Sequence, residues 1–176
     1  MKAIDRKQAL LDSATDLFGE NGYVKTTTAV IAKKANVSEA LIFKHFQTKE
    51  GLLRTILKAG YNEVISSNKG MLNEKDPLKL IYKVLDLPTK LVDQHPAFWK
   101  MQARIHENEV SKAAHENFMQ PVHKLLVQAF SELGYEEPEK ETLLLLLIVD
   151  SLWKNRVKNK AYDSQMMADF VKKRYV

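Results

Sequence analysis

The sequence predicts an all-α protein of about nine helices. Apolar residues recur at spacings of three and four over almost every segment, which places them on one face of a helix. No segment alternates apolar and polar residues as a half-buried strand does. Capping residues and prolines stand where one periodic segment gives way to the next, as they do at helix ends.

The amino-terminal third is predicted to form a longer helix, two short helices and a second long one. The segment GENG ends the first helix, because glycine adopts the backbone conformation of a helix stop. Threonines 26–28 offer an N-cap for a short helix that runs to about residue 35, where Asn36 tolerates the left-handed conformation. Ser38 caps a second short helix, and Thr48 caps a long helix over residues 49–68.

The rest of the chain continues the helical pattern. Asp76 precedes a proline at a first helical position, which is a common helix start. Pro88 and Pro121 stand inside predicted helices and should bend them. The remaining helices are predicted over residues 77–94, 96–110, 111–133, 139–159 and 164–174.

Composition narrows the class of protein. The 176 residues can form one ordinary domain, or a small head with a larger body, and 45% hydrophobic with 28% charged residues is ordinary globular composition. The net charge of +5 permits an anionic partner. The absence of cysteine excludes disulfides, thiol catalysis and cysteine-bound zinc. The longest apolar run, residues 143–149, is far shorter than the roughly 20 residues of a membrane helix, and the amino terminus lacks the apolar core of a secretion signal. We expect a cytoplasmic protein with no membrane partner.

The two short helices have the pattern of a helix-turn-helix. A turn of three or four residues joins them, and each begins with a small hydroxyl residue. Residues 25–49 contain five lysines and one acid, a local charge of +4. Such a second helix suits the DNA major groove, although a plain helical hairpin with a solvated basic face has the same spacing.

The segment at residues 17–53 closely resembles the DNA-binding domain of the TetR (tetracycline-repressor) family of bacterial transcription regulators. The features that carry the resemblance are Phe18, Gly22, Tyr23, Thr26, Thr27, Ile31, Ala32, Ala35, Val37, Ser38, Ile42, Phe43, His45, Phe46, Lys49 and Glu50. The resemblance covers about the first 60 residues. It implies a helix-turn-helix DNA-binding domain at residues 1–48 and a helical domain at residues 49–176 for ligand binding and dimerisation.

The resemblance also implies which residues contact DNA. We expect base reading by Ser38, Glu39, Ala40 and Lys44, with Glu39 accepting from a cytosine amino group. Phe43 stands where the family mostly has tyrosine, so the hydroxyl that touches a phosphate is missing here. The full set of predicted DNA-binding residues is Thr27, Thr28, Ser38, Glu39, Ala40, Phe43, Lys44, His45 and Lys49.

Residues 70–135 are dense in aromatic, methionine and histidine side chains. These residues have the composition of an apolar ligand cavity with a few polar anchors, and equally that of an ordinary helical core. The predicted ligand-binding residues are Tyr61, Trp99, Met101, Gln102, His106, Phe118 and Met119.

No motif for a metal, a cofactor or catalysis is present. The repeated Glu-x-x-His pairs of a di-iron bundle are absent, as are His-Glu-x-x-His, a phosphate-binding glycine loop and Gly-x-Ser-x-Gly. We expect neither metal nor cofactor and no enzymatic activity.

The segment ETLLLLLIVDSLWKNRVKNK is apolar on every face over two turns. Such a helix must be covered on all sides, either by a second subunit or by the protein's own bundle. The final helix carries a matching stripe, and the family resemblance also implies dimerisation through the last two helices. The predicted dimer interface residues are Leu144, Leu147, Ile148, Met167, Phe170 and Val171.

The sequence therefore favours a DNA-binding transcriptional regulator, most simply a repressor released from a double-stranded DNA operator by a small apolar or aromatic effector. The alternative is a helical ligand-binding or interaction protein whose helix-turn-helix no longer binds specific DNA, and Phe43 is the feature that supports it. A helical-bundle enzyme would need a catalytic constellation that the sequence lacks.

Overall fold

The computed structural model describes residues 3–175, and over this range the backbone forms ten α-helices and no β-strand. In chain order these are α1 (Ala3–Asn21), α2 (Thr28–Lys34), α3 (Glu39–Phe46), α4 (Lys49–Ser67), α5 (Lys69–Leu72), α6 (Pro77–Gln94), α7 (Pro96–Ile105), α8 (Glu109–Glu132), α9 (Pro138–Lys158) and α10 (Ser164–Lys172). The prediction of an all-α protein is confirmed.

The helices group into two compact units. The first unit contains the residues up to Glu63 together with Ala97–Asn117, and the second contains Val64–Pro96 and the residues from Phe118 on. The first unit therefore holds α1–α3, most of α4, nearly all of α7 and the start of α8. The predicted functional boundary after residue 48 stays a prediction, since the packing groups most of α4 with the amino-terminal helices.

The short helices of the first unit begin and end near the residues that the sequence indicated, but the predicted cap at Ser38 was wrong in one respect: Ser38 precedes α3 and its side chain makes no capping hydrogen bond. Gly22, with a φ of +81°, follows α1, and Asn36, with a φ of 53°, forms the turn between α2 and α3. Thr27 caps α2, and its hydroxyl accepts a hydrogen bond from the Val30 amide at 3.3 Å. Thr48 accepts from the Gly51 amide at 2.9 Å at the start of α4. These caps satisfy backbone donors that a short helix otherwise leaves unpaired.

Helix α4 packs against α7 at a position without a side chain. A Cβ added to Gly60 would lie 2.2 Å from the ring of Phe98. That ring meets Tyr61 edge-on at 5.3 Å and Trp99 at 5.5 Å between centroids, and all three aromatic residues are buried. Because the glycine lets the two helices approach closely, α7 is part of the interior of the first unit.

The second unit has one apolar core built from α6, α8, α9 and α10. Its buried members are Leu80, Ile81, Val84, Leu85, Val122, Leu126, Ala129, Phe130, Leu145, Val149, Leu152, Ala168, Val171 and Tyr175. The spacing of three and four along each helix brings these residues to a common face. Asp76 caps α6 by accepting from the Lys79 amide at 3.0 Å, as its position before Pro77 predicted.

One predicted helix end was wrong, and one short helix was not predicted. The helix predicted over residues 96–110 ends at Ile105, because Asn108 caps the next helix by accepting from the amides of Val110 and Ser111 at 3.1 and 3.2 Å. The single turn Lys69–Leu72 is a tenth helix that has too few residues to show a period. Pro88 and Pro121 stand inside α6 and α8 as predicted.

Within residues 3–175, no helix combines the length and the apolar character needed to cross a membrane.

Candidate nucleic-acid interface

Helices α2 and α3 pack against each other and divide their residues between an inner and an outer face. Ile31 and Ala32 of α2 and Ile42 and Phe46 of α3 are buried. The predicted DNA-binding residues on and before α3 are all exposed: Ser38, Glu39, Ala40, Phe43, Lys44 and His45. The spacing of the inner residues therefore fixes α3 so that a mostly polar row faces outward, which is the arrangement of a recognition helix.

Phe43 is the apolar member of that outward row. Its side chain is 49% exposed, and it has no hydroxyl with which to bind a phosphate. An aromatic ring held in solvent at this place can instead contact apolar groups such as the methyl of thymine.

Thr28 and Glu39 join the two short helices. The hydroxyl of Thr28 donates to Oε1 of Glu39 at 2.5 Å. Glu39 is the first residue of α3, and its carboxylate adds to the favourable charge at a helix amino terminus. The structure thus brings together two residues that the sequence named separately.

Lys49 makes hydrogen bonds within the protein, and its predicted contact with DNA stays a prediction. Its ammonium donates to the carbonyl oxygens of Tyr23 and Thr26, both at 2.9 Å, and lies 4.2 Å from the centre of the Tyr23 ring. Partial burial lowers the pKa of Lys49 from its ordinary value of 10.5. Lys49 therefore ties the start of α4 to the turn before α2, and two of its three donors are already used within the protein.

The lysines of residues 25–49 are not equally available to an anionic partner. Lys34 forms an ion pair with Asp16 at 3.0 Å, so part of its charge is compensated. Lys25, Lys33 and Lys44 are exposed. The positive charge that faces solvent is consequently smaller than the sequence count of +4 for residues 25–49 suggests.

Arg6 is a candidate contact that sequence reasoning missed. A concavity of about 430 Å³ beside the turn is lined by Arg6 with Asn36, Val37, Ser38 and Leu41. The guanidinium of an arginine binds phosphate in two-point geometry. Because Arg6 lies thirty residues before the turn, only the packing of α1 could reveal it.

The predicted ligand residues fall into three groups. Trp99, Met101, Gln102 and Tyr61 are buried in the first unit. Phe118 and Met119 belong to the second unit, where Met119 packs against the apolar core. His106 is exposed, and its assignment to a ligand cavity stays a prediction. It follows the end of α7, where its ring lies 3.1 Å from the Ala103 carbonyl and 2.8 Å from Glu107.

Tyr61 and Gln102 belong to a chain of polar side chains inside the first unit. Ser111 donates to Gln102 Oε1 at 2.7 Å, and Gln102 Nε2 donates to the Tyr61 hydroxyl at 2.6 Å. That hydroxyl lies 3.1 Å from Nδ1 of His115. Burial raises the pKa of Tyr61 well above its ordinary value of 10.0, so the phenol stays protonated and available for hydrogen bonding.

Helices α9 and α10 expose large apolar side chains. Leu144 and Leu147 of α9 are 50% and 68% exposed, and Phe170 of α10 is 51% exposed. Leu143 and Met166 are exposed as well, and the sequence analysis did not name them. Leu143 was missed because it stands in a fully apolar run, which has no polar face that would show which side turns outward.

Three predicted interface residues lie closer to the core. Val171 is buried in its own unit at 8% exposure, and its assignment to the dimer interface stays a prediction. Ile148 and Met167 are partly buried and pack against the same core. The remaining exposed set is an apolar surface of the kind that marks a partner site.

No group of three or more His, Cys, Asp or Glu residues in the described part of the chain is arranged to hold a metal ion.

Comparison with known proteins identifies the helix-turn-helix segment. The sequence model described as "Bacterial regulatory proteins, tetR family" matches residues 10–56. The HTH-type transcriptional regulator YvkB of Bacillus subtilis is 40% identical over 85 residues, which are 48% of this chain and 42% of YvkB. The chain spans about half the length of the curated relatives that it matches.

Solved structures resemble the chain over nearly its whole length. The regulator FadR of Bacillus subtilis, in complex with stearoyl-CoA, has a TM-score of 0.75 at 18% identity and covers 94% of this chain and 95% of its own. AibR, in complex with isovaleryl coenzyme A and operator DNA, has a TM-score of 0.77 at 19% identity and covers 95% and 96% of the two chains. At these identities the likeness shows that the helical fold is shared.

The matched residues include the buried positions, caps and turn that shape α1–α3 and the start of α4. Residues 10–56 of this chain therefore match the sequence model of the TetR family of bacterial regulatory proteins, and the folds of the solved structures agree with that match.

Proposed function

We propose that this protein is a sequence-specific DNA-binding transcriptional regulator, acting as a repressor that a small effector releases from its operator. The observation that carries the proposal is the division of α3. Ile42 and Phe46 anchor its inner face, while Ser38, Glu39 and Lys44 stand in solvent next to the turn. A helix held in this way can enter the major groove with its amino-terminal residues toward the bases.

The basic residues supply affinity for the DNA backbone. Lys25, Lys33 and Lys44 are exposed on the helix-turn-helix segment, and Arg6 lines the concavity beside the turn. Each phosphate that such a cation neutralises releases a counterion, so binding weakens as salt rises. His45 is exposed on the same helix and adds a hydrogen-bond donor.

A homodimer is proposed from the apolar surface of α9 and α10. Leu144, Leu147 and Phe170 are each at least half exposed, which is costly for a surface that remains in water. Pairing this surface with its copy about a two-fold axis covers it and presents two recognition helices to a roughly palindromic operator.

The effector is proposed to be an apolar or aromatic molecule that carries a polar group. FadR and AibR, whose folds resemble this one, are complexed with stearoyl-CoA and isovaleryl coenzyme A, each an acyl chain on a polar carrier. In this chain Tyr61 and Gln102 are the polar anchors, with Trp99 and Met101 as apolar neighbours in the same unit. The effector needs only to bind the DNA-incompetent state more tightly.

We further propose that the protein acts without catalysis and in the cytoplasm, where bacterial DNA is found. Residues 1–48 are proposed as the DNA-binding part and residues 49–176 as the effector and dimerisation part. Regulators of the TetR family act by binding DNA, so no catalytic group is required.

The test is selection of duplex fragments from a randomised library by the full chain, followed by affinity measurement at several salt concentrations. We expect one enriched, roughly palindromic sequence and a steep salt dependence. Lys44→Met should reduce the slope of log affinity against log salt by about 0.9 for a phosphate contact. The matched control is Lys158→Met, which removes an exposed lysine at the end of α9 and should leave DNA binding unchanged.

A helical ligand-binding protein without specific DNA recognition is the second candidate, and the exposed ring of Phe43 favours it because the phosphate-binding hydroxyl is missing. In that case the library yields no enriched sequence, and Phe43→Tyr strengthens binding to random duplex.

A further inference from the structure

The hydrogen bond between Thr28 and Glu39 joins the first residues of α2 and α3. Its 2.5 Å separation links residues eleven positions apart, whereas most exposed side-chain bonds of this chain join residues three or four apart on one helix. The bond also lies at the exposed amino terminus of α3, where a recognition helix reaches base edges.

We propose that Glu39 determines specificity by accepting a hydrogen bond from the exocyclic amino group of a cytosine, and that Thr28 is a positioning residue for Glu39. This inference rests on the proposed function, since it concerns which base the helix-turn-helix reads.

The chemistry of the carboxylate selects the base. An ionised carboxylate only accepts hydrogen bonds, so it pairs with an amino group and is repelled by acceptor atoms. Cytosine presents its amino group without an adjacent acceptor, whereas adenine presents N7 beside its amino group and guanine presents only acceptors. Oε1 of Glu39 is held by the Thr28 hydroxyl, and the side chain is exposed to solvent. A long side chain fixed at one oxygen has fewer rotamers to lose on binding, which strengthens its contact with a base.

The charge of residues 25–49 supports a role for Glu39 in sequence specificity and not in overall affinity. Glu39 is the one acid among residues 25–49, which contain five lysines. Its charge is repelled by the phosphates of any duplex, whatever the sequence. Only a hydrogen bond to the correct base compensates that repulsion, so Glu39 lowers binding to wrong sequences more than to the right one.

The first experiment compares Glu39→Gln with the unmodified full chain in selection from randomised duplexes. For the unmodified protein we expect cytosine at one defined position of each half-site. The variant should lose that preference at that position alone, because an amide both donates and accepts. It should also bind random duplex more tightly, since the variant carries one negative charge fewer.

The second experiment uses Thr28→Val, which keeps the shape of the side chain and removes the donor. We expect the preference for cytosine at the same position to fall about 3–10-fold, while the base preferences at the other positions of the half-site stay the same. Thr28→Ser should restore the preference, because serine keeps the hydroxyl. In the Glu39→Gln background Thr28→Val should have no further effect, as expected when one residue acts through the other.

The matched control is Thr55→Val, which removes a hydroxyl that donates to the Gly51 carbonyl at 2.8 Å within α4. It should leave every base preference unchanged. A Thr28→Val variant that keeps the full preference, or that weakens all positions equally, overturns the positioning role. Unchanged preference in Glu39→Gln overturns the reading role even if Thr28→Val fails to fold. Recovery of no enriched sequence by the unmodified protein refutes the proposed function instead.

Discussion

Both units of this protein combine buried apolar side chains with polar bonds between helices, and they differ in the features that shape their outer surfaces. In the first unit, polar side chains reach across helix boundaries: Lys49 binds the carbonyls of the turn before α2, Thr28 binds Glu39, and Gln102 binds Tyr61. In the second unit, four helices meet in a continuous apolar core, and apolar side chains also cover part of the outer surface of α9 and α10.

This difference predicts how each unit responds to change. A hydrogen bond depends on the position of two atoms, so losing one in the first unit should displace a helix end and alter DNA recognition. Apolar burial depends on area, so the second unit should respond to changes in the size and charge of its surfaces. The following predictions test this contrast, from the largest expected effect to the smallest.

Leu147→Glu is expected to have the largest effect, because it places a charge in the proposed dimer interface. An unpaired buried charge costs about 3–5 kcal/mol, which corresponds to a 100-fold or larger rise in the dimer dissociation constant. Leu147 is 68% exposed in the protomer, so the fold of a single subunit should be retained. Sedimentation velocity should show monomers where the unmodified protein is a dimer, and operator affinity should fall with the loss of the second half-site contact.

The control is Lys158→Glu, which adds a carboxylate to the exposed end of α9 beyond the apolar run. It should remain dimeric. If the unmodified protein sediments as a monomer at micromolar concentration, the exposed leucines do not form an interface and this half of the contrast is wrong.

Lys49→Met tests the first unit and should produce the next largest effect. The variant loses two hydrogen bonds from a charged donor to backbone carbonyls, which frees the turn before α2. We expect operator affinity to fall by about 1–2 kcal/mol, or roughly 5–30-fold, without a change in the salt slope. Fluorescence anisotropy over a range of salt concentrations measures both quantities.

Lys44→Met is the informative partner of this variant, because Lys44 is exposed on α3. Its salt slope should fall by about 0.9 as one phosphate contact is lost. If Lys49→Met lowers the salt slope by the same amount, Lys49 binds a phosphate as the sequence suggested, and its internal hydrogen bonds do not define its role.

The sequence predicted the parts of this fold that are encoded locally. Caps at Thr27 and Asp76 and the left-handed Asn36 depend on neighbouring residues, and each lies where the sequence placed it. Contacts between distant segments were not predictable from one sequence. Lys49 has the residue type of a phosphate contact, and only the position of the carbonyl of Tyr23 reveals its internal bonds.

The same limit explains the interface residues. A run of leucines has no polar side, so its sequence does not show which leucines face outward. Leu145 is buried while Leu147 is exposed, and Val171 is buried although it lies beside the exposed Phe170. The packing of α9 and α10 on α6 decides these orientations.

Gly60→Ala tests how tightly α4 and α7 pack in the first unit. The new Cβ would lie 2.2 Å from the buried ring of Phe98, which Tyr61 and Trp99 hold edge-on. Overpacking costs about 1–3 kcal/mol, and the gain in helix propensity offsets about 1 kcal/mol of it. Urea unfolding should therefore show a net loss.

Gly70→Ala is the matched control in the second unit, because no atom lies within 4 Å of its added Cβ. Only the helix propensity changes there, so the variant should be as stable as the unmodified protein or slightly more stable. Equal stability of Gly60→Ala and Gly70→Ala would show that α4 and α7 do not pack as tightly as Gly60 indicates.

Tyr61→Phe tests the polar chain of the first unit through its pH dependence, and we expect the smallest effect. Burial raises the pKa of Tyr61 above its ordinary value of 10.0, so the folded protein keeps a proton that the unfolded chain releases near pH 10. The unfolded state then binds fewer protons, and the free energy of unfolding falls as pH rises above this value, by up to about 1.4 kcal/mol per pH unit.

Phenylalanine cannot ionise, so the Tyr61→Phe variant lacks this loss of stability at high pH. It should be less stable by about 1 kcal/mol near neutral pH, because the Gln102 bond is missing, and the deficit should shrink above about pH 10. The control is Ser111→Ala, which removes the hydrogen bond from Ser111 to Gln102 and no ionisable group. Its loss of stability should therefore stay constant over the same pH range. A Tyr61→Phe deficit that also stays constant would mean that the phenol ionises alike in both states, and that the polar chain is open to water.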